Sequence, residues 1–72
     1  KLMKRSYYIY NNGMLKRQDN SIAFVDENGE KRYIPIENVN EIYVMSEIRM
    51  NGGIKRTFLL KLKDVNLIQQ EL

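Results

Sequence analysis

Turn signals built from Asn and Gly punctuate the chain at Asn11-Asn12-Gly13, Glu27-Asn28-Gly29 and Asn51-Gly52-Gly53. Both residue types tolerate positive φ, so such groups between apolar runs mark reversals of a β chain. The runs between them are rich in aromatic and β-branched residues, which suit a pleated, half-buried surface. Ser6 to Tyr10 reads as a first strand, and Met14 to Gln18 as its hairpin partner across Asn11-Asn12-Gly13. Asp19-Asn20 breaks the second strand, and Ser21 to Asp26 and Glu30 to Ile36 form a third and a fourth. Pro35 has no N–H to give a ladder, so the fourth strand should end there or lie at an edge. Glu37 to Asn40 reads as a loop from which Val39 plugs into the core, and Glu41 to Met45 as a fifth strand.

Strands recurring about every 8–12 residues are the habit of sandwiches and barrels. Alternation puts Tyr7 with Ile9, Ile22 with Phe24, Ile34 with Ile36 and Ile42 with Val44 on shared faces. The opposite faces also carry apolar groups, namely Tyr8 and Tyr10, Ala23 and Val25, and Tyr43 and Met45. A chain of 72 residues has little else with which to cover a second greasy face. An uncovered apolar patch marks an interface. The residues expected at such an interface are Tyr8, Tyr10, Val25, Tyr33, Tyr43 and Met45.

Asn51 to Leu72 is open to two readings. As a helix capped by Asn51, Ile54, Phe58, Leu62 and Val65 make one stripe. As a hairpin turning at Asn51-Gly52, Phe58, Leu60 and Leu62 alternate with Thr57, Leu59 and Lys61. Leu59 spoils the alternation, and the Leu and Lys content favours the helix. Asn66 to Ile68 reads as one more short strand, and Gln69 to Leu72 as a fraying end. The expectation is a mainly β (α+β) domain spanning 1–72. It would be a small antiparallel β-sandwich or partly open barrel of about five to six strands with one C-terminal helix.

Composition narrows the chemistry. The chain has neither Cys nor His. Disulfide staples, thiolate or imidazole metal ligands and His-activated Ser6, Ser21 or Ser46 are all excluded. The carboxylates Asp26, Glu27 and Glu30 bracket one turn, and Glu37 and Glu41 bracket another loop. Such pairs can bind Mg²⁺ or act as acid and base, yet acidic residues at turns are ordinarily there for solubility. Each Gly sits at a turn, and none belongs to a phosphate-binding loop. No catalytic, cofactor or metal residue is assigned.

The 12 basic and 9 acidic residues leave a net charge of +3. The pairs Lys16-Arg17, Lys31-Arg32 and Lys55-Arg56 are the candidate nucleic-acid contacts, as phosphate neutralisers beside aromatic rings. Neighbours on a strand point to opposite faces, however, and acidic residues dilute any stripe. No apolar run reaches the length of a transmembrane helix, so a cytoplasmic location is expected. Met3 reads as a natural initiator, with Lys1 and Leu2 as an appended remnant.

From Met3 to about Met45 the chain resembles the amino-terminal segment of the CRISPR-associated adaptation integrase family. The resemblance runs through three ordered landmarks: KRSYYIYNNG, GMLKRQDNSIAFVDENGEKR and YIPIENVNEIYV. It thins over 46–72, where NGGIKR fits poorly. It implies a β-rich domain that mediates homodimerisation, followed by a larger helical domain with a Glu, His and Asp metal site. It also implies work with a second CRISPR adaptation protein on double-stranded DNA. The divalent metal belongs to that helical domain, so no catalytic position carries over to this chain. On this reading the chain is an excised domain, a truncated gene product or an altered version of the longer protein. Its role is to hold two subunits in a fixed relation for insertion of DNA into a CRISPR array. The rivals are a small nucleic-acid-binding module, a small Mg²⁺ enzyme built on Glu37 and Glu41, and a remnant without a role.

Overall fold

A computed structural model describes residues 4–70. The initiator reading of Met3, the remnant Lys1-Leu2 and the Glu71-Leu72 part of the expected fraying end lie outside the described residues. Gln69 and Gln70 are held by Asn51 and Arg17 rather than frayed. The chain forms six strands: β1 (Arg5–Ile9), β2 (Gly13–Gln18), β3 (Ser21–Asp26), β4 (Lys31–Pro35), β5 (Val39–Met50) and β6 (Gly53–Lys61). A one-turn helix, α1 (Leu62–Val65), follows β6. The strands make one curled mixed sheet, a half-barrel ordered β1-β5-β2-β3-β4, with β6 on the other edge of β5.

β5 is the spine. Ile42, Val44 and Ile48 point inward and are fully buried, and Val39 at its start is fully buried too. The plug expected at Val39 is present, as the first residue of the strand rather than part of a loop. One edge of β5 takes β1 and then β2, end to end and both parallel to it: Tyr7 lies beside Ile42, Ile9 beside Val44, and Gly13 beside Ile48. The hairpin expected across Asn11-Asn12-Gly13 is therefore absent, and β1 and β2 do not pair with each other. Ser46 and Glu47 of β5 explain the difference. The Ser46 hydroxyl donates to the Asn11 carbonyl at 2.8 Å, and the Glu47 N–H donates to Asn12 Oδ1 at 2.9 Å. The segment is tied down against β5, so the chain steps along the spine instead of reversing.

β2, β3 and β4 form the antiparallel meander expected from their turns. Asp19 (φ 54°) and Gly29 (φ 84°) occupy the left-handed positions in these turns. β4 ends at Pro35 and lies at the sheet edge, where a residue without an N–H costs no ladder bond. Ile22 and Phe24 are buried with Leu15 and Ile34 in the core.

The last third is a hairpin, not the long helix favoured from composition. β6 runs antiparallel to β5 from Gly53 opposite Met50 to Lys61 opposite Glu41. Asn51 (φ 53°) and Gly52 (φ 76°) both adopt the left-handed turn conformation that this reversal needs. The irregular Leu59 is accommodated by a break in register, where Met45 and Ser46 of β5 oppose Thr57 alone. Thr57 takes φ 45°, and beyond it Phe58 and Leu60 turn inward while Leu59 stays outside. Of the helix only α1 remains, with the Asp64 carboxylate accepting the Lys61 N–H at 3.0 Å. Asn66 to Ile68 is turn, not strand, and Ile68 closes the core. Asn51 then latches this segment: its amide donates to the Leu67 carbonyl, and its Oδ1 accepts from the Gln69 N–H at 2.7 Å.

Gly13 opens β2 opposite Asp26, close against the backbone of β3. A Cβ there would collide with the Val25 carbonyl oxygen and stand 2.8 Å from Phe24 Cε1. One contact is backbone and cannot rotate away. Gly13→Ala is expected to lower unfolding stability by about 1–3 kcal/mol, measured by urea denaturation.

Candidate interaction surface

The outer face of β1, β5 and β6 carries the molecule's exposed aromatic cluster. Tyr8 lies directly beside Tyr43 in the parallel β1–β5 ladder, and Leu59 lies beside Tyr43 on β6. Inward burial of Ile9, Ile42, Val44 and Leu60 forces these three outward, because strand side chains alternate. The Tyr8 and Tyr43 rings stack at 4.9 Å and 9°, and Tyr10 continues the stack at 6.4 Å from Tyr8. Tyr8 is 57% exposed, Tyr10 70% and Met45 51%. Stacked rings at such exposure give up apolar area to water that a partner would cover.

Polar groups fix the cluster at one end. The Tyr43 hydroxyl donates to Glu41 Oε1 at 2.9 Å, and the Ser6 hydroxyl donates to the same oxygen at 3.1 Å. The bond to Glu41 raises the Tyr43 pKa above the ordinary 10.0, with desolvation and the negative charges of Glu41 and Tyr8 adding to it. At neutral pH the phenol keeps its proton and donates it to Glu41.

Four of the residues expected at an interface, Tyr8, Tyr10, Tyr43 and Met45, meet on this face. Tyr33 stands on β4, and with Tyr8, Tyr10, Arg32 and Ile34 it lines a cleft of about 330 Å³ at the open seam of the half-barrel. Val25 lies apart, half-buried on β3 between Met14 and Lys31. Leu59 belongs to the cluster but was hidden by the helical reading of its segment. The Asn51-Gly52 turn was the signal that exposes it.

The basic residues do not gather into one stripe. Lys31 and Arg32 lie on β4 and Lys55 and Arg56 on β6, with β5, β2 and β3 between these strands in the ladder. Arg56 pairs with Glu47 at 2.7 Å, and Lys55 lies over the Phe58 ring. The Arg17 guanidinium donates to the carbonyls of Asp19 and Asn66, which ties β2 to the C-terminal segment. Lys16 shares the outer face with Tyr33 across Ala23. Of the turn carboxylates, Asp26 braces its turn: its Oδ1 accepts from the Asn28 and Glu30 N–H groups at 2.8 and 3.0 Å.

The family model of the CRISPR associated protein Cas1 matches residues 7–71. The chain belongs to the Cas1 family. Its match extends through the last third, where the resemblance read from the sequence thins. A CRISPR-associated endonuclease Cas1 of Fusobacterium nucleatum is 59% identical over 49 residues, 68% of this chain and 14% of that protein. One of Clostridium perfringens is 41% identical over 49 residues, 68% of this chain and 15% of that protein. A CRISPR-associated protein Cas1 1 of Methanobrevibacter ruminantium is 33% identical over 57 residues, 79% of this chain and 17% of that protein. The chain thus spans about 14% of the length of the first of these Cas1 relatives. No solved structure matches.

Among the described residues no group of three or more acidic, His or Cys side chains could hold a metal ion. Among them, no helix is long and apolar enough to cross a membrane.

The Tyr43–Glu41 bond sets a pH dependence. A folded pKa above the unfolded one means that the native state holds its proton longer. Its stabilising contribution is complete below about pH 10 and is lost as pH rises through the folded value. Ultraviolet titration should show one phenol ionising above 10.0, and Glu41→Gln should bring that midpoint down.

Proposed function

We propose that this chain is a non-catalytic, self-associating β domain of a Cas1 integrase, setting the distance between two subunits that insert DNA into a CRISPR array. The observation that supports it is the stacked Tyr43–Tyr8–Tyr10 cluster with Leu59 and Met45, its rings aligned and Tyr8, Tyr10, Met45 and Leu59 left in water. Two-fold association covers the same patch on both copies and makes the spacing of everything attached to them a constant of the interface. The bond-breaking groups, their divalent metal, the second adaptation protein and the double-stranded DNA belong to the longer protein. Tyr33 and Val25 are the outlying members of the interface in this reading.

Sedimentation equilibrium at tens of micromolar should show a dimer, and Tyr8→Asp should shift it towards monomer by placing a charge in the ring stack. A wild-type chain that stays monomeric at those concentrations contradicts the proposal.

A second reading, direct nucleic-acid contact, draws on Lys16 and Lys31 sharing the outer face with Tyr33 and Met14. Lys16, Arg17, Lys31, Arg32, Lys55 and Arg56 are its candidate phosphate contacts. It requires binding of duplex DNA that weakens steeply with salt. Fluorescence anisotropy at low ionic strength checks this, and flat traces there exclude it for this chain.

A further inference from the structure

The chain holds three Asn-Gly pairs, at Asn12-Gly13, Asn28-Gly29 and Asn51-Gly52. Asparagine before glycine is chemically labile, because a residue without Cβ leaves its backbone nitrogen open to attack on the preceding side-chain amide. As dipeptides the three are equivalent. The fold makes them unequal.

Asn12 is tied to the spine. Its Oδ1 accepts the Glu47 N–H at 2.9 Å, and Gly13 stands in the ladder between Asp26 and Ile48. A Cβ at Gly13 would strike the Val25 carbonyl oxygen, so the backbone there has no room to be rerouted. Asn51 is held at both ends of its amide. Its Nδ2 donates to the Leu67 carbonyl at 3.3 Å, and its Oδ1 accepts the Gln69 N–H at 2.7 Å. Asn28 differs from both. It is exposed in the turn between β3 and β4, and among the described residues its side-chain amide has no hydrogen-bond partner. The bond it does make, from its backbone N–H to Asp26 Oδ1, places no restraint on the side chain. Nothing lies within 4 Å of a Cβ built at Gly29, whose φ is 84°. The Gly29 nitrogen is restrained by the bond from its N–H to the Asp26 carbonyl at 3.0 Å, in an exposed turn that opens locally without the core.

We propose that Asn28 is a site of spontaneous deamidation in the folded chain and the first of the three pairs to react. The Gly29 nitrogen bonds to Asn28 Cγ, the Cγ–Nδ2 bond breaks, and the Gly29 proton leaves with Nδ2 as ammonia. Solvent water then opens the cyclic imide, its hydroxyl going to the attacked carbon and its proton to the released nitrogen. Opening at Cγ gives aspartate. Opening at the main-chain carbonyl carbon gives isoaspartate, with the chain routed through Cγ. The carboxylates of Asp26, Glu27 and Glu30 oppose proton loss at Gly29, but exposed charges are screened by salt and these neighbours flank the pair in the unfolded chain too. The order among the three is therefore set by what holds Asn12 and Asn51. The product adds a carboxylate to a turn that already carries three, and isoaspartate adds Cβ to the main chain between β3 and β4. Both disturb the Asp26 brace and loosen β4, whose Arg32, Tyr33 and Ile34 line the seam cleft with Tyr8 and Tyr10.

The test is peptide mapping of the whole chain after incubation at neutral pH in ammonia-free buffer, with electron-transfer fragmentation to separate aspartate from isoaspartate. Asn28 should convert at least about tenfold faster than Asn12 and Asn51, since each of those must first break its restraining bonds. In guanidinium chloride the restraints are gone, and the lead should shrink to within about threefold or reverse. Asn12 or Asn51 converting as fast as Asn28 without denaturant would overturn the assignment. So would an Asn28 that stays intact in the folded chain and converts only in denaturant. The same order and spacing of rates in both conditions would trace the selectivity to local sequence and overturn its structural cause.

Discussion

The fold depends on β5 being paired along both edges. A twelve-residue strand with β6 on one side and β1 followed by β2 on the other has its backbone groups spent within the sheet. Its inward residues form the centre of the core, and everything else is arranged around it. The meander hangs from β2, α1 and Ile68 close the core from the C-terminal side, and the Asn11-Asn12 step keeps two short strands in line along one edge. Hydrogen bonding and apolar burial act on the same strand here, so neither can be disturbed without the other.

The outer face follows from the same arrangement. Alternation on β5 sends Ile42 and Val44 inward, so Tyr43 must point out, and parallel pairing puts Tyr8 directly at its side. The curl of the half-barrel encloses only one face. Among the described residues none covers the other face, and Tyr8, Tyr10, Met45 and Leu59 stay at the surface. The Cas1 family match extends to residue 71, so the β6 hairpin carrying Leu59 lies within the matched segment and is not an irregular tail.

Much of this was legible in the residues. Val39, Pro35, the paired faces of Ile22 with Phe24 and the turn at Gly29 all declare themselves through burial, a missing donor or positive φ. Strand direction did not. Alternation has period two whichever way a neighbour runs, so Asn11-Asn12-Gly13 looks the same as a hairpin turn or as a step along a parallel edge. The tie from Ser46 and Glu47 decides it, and that tie joins residues 35 apart. Residues 51–63 misled for a related reason. Leu and Lys are good helix formers, but a free edge of β5 and a left-handed Asn51-Gly52 outweighed that weak preference. With the helix set aside, Leu59 moved from a pattern error to a neighbour of Tyr43.

The parallel β1–β5 ladder also orders events in time. Ser6 and Glu41 are joined across 35 residues, whereas β2, β3 and β4 close through short local turns. During synthesis β1 emerges before β5, its neighbour in the sheet, so until the spine follows Tyr7, Tyr8 and Ile9 have no strand to pair with. The Tyr8–Tyr43 stack therefore waits for β5, and a nascent chain that stalls before the spine leaves the apolar side chains of β1 open to chaperones and to other nascent copies.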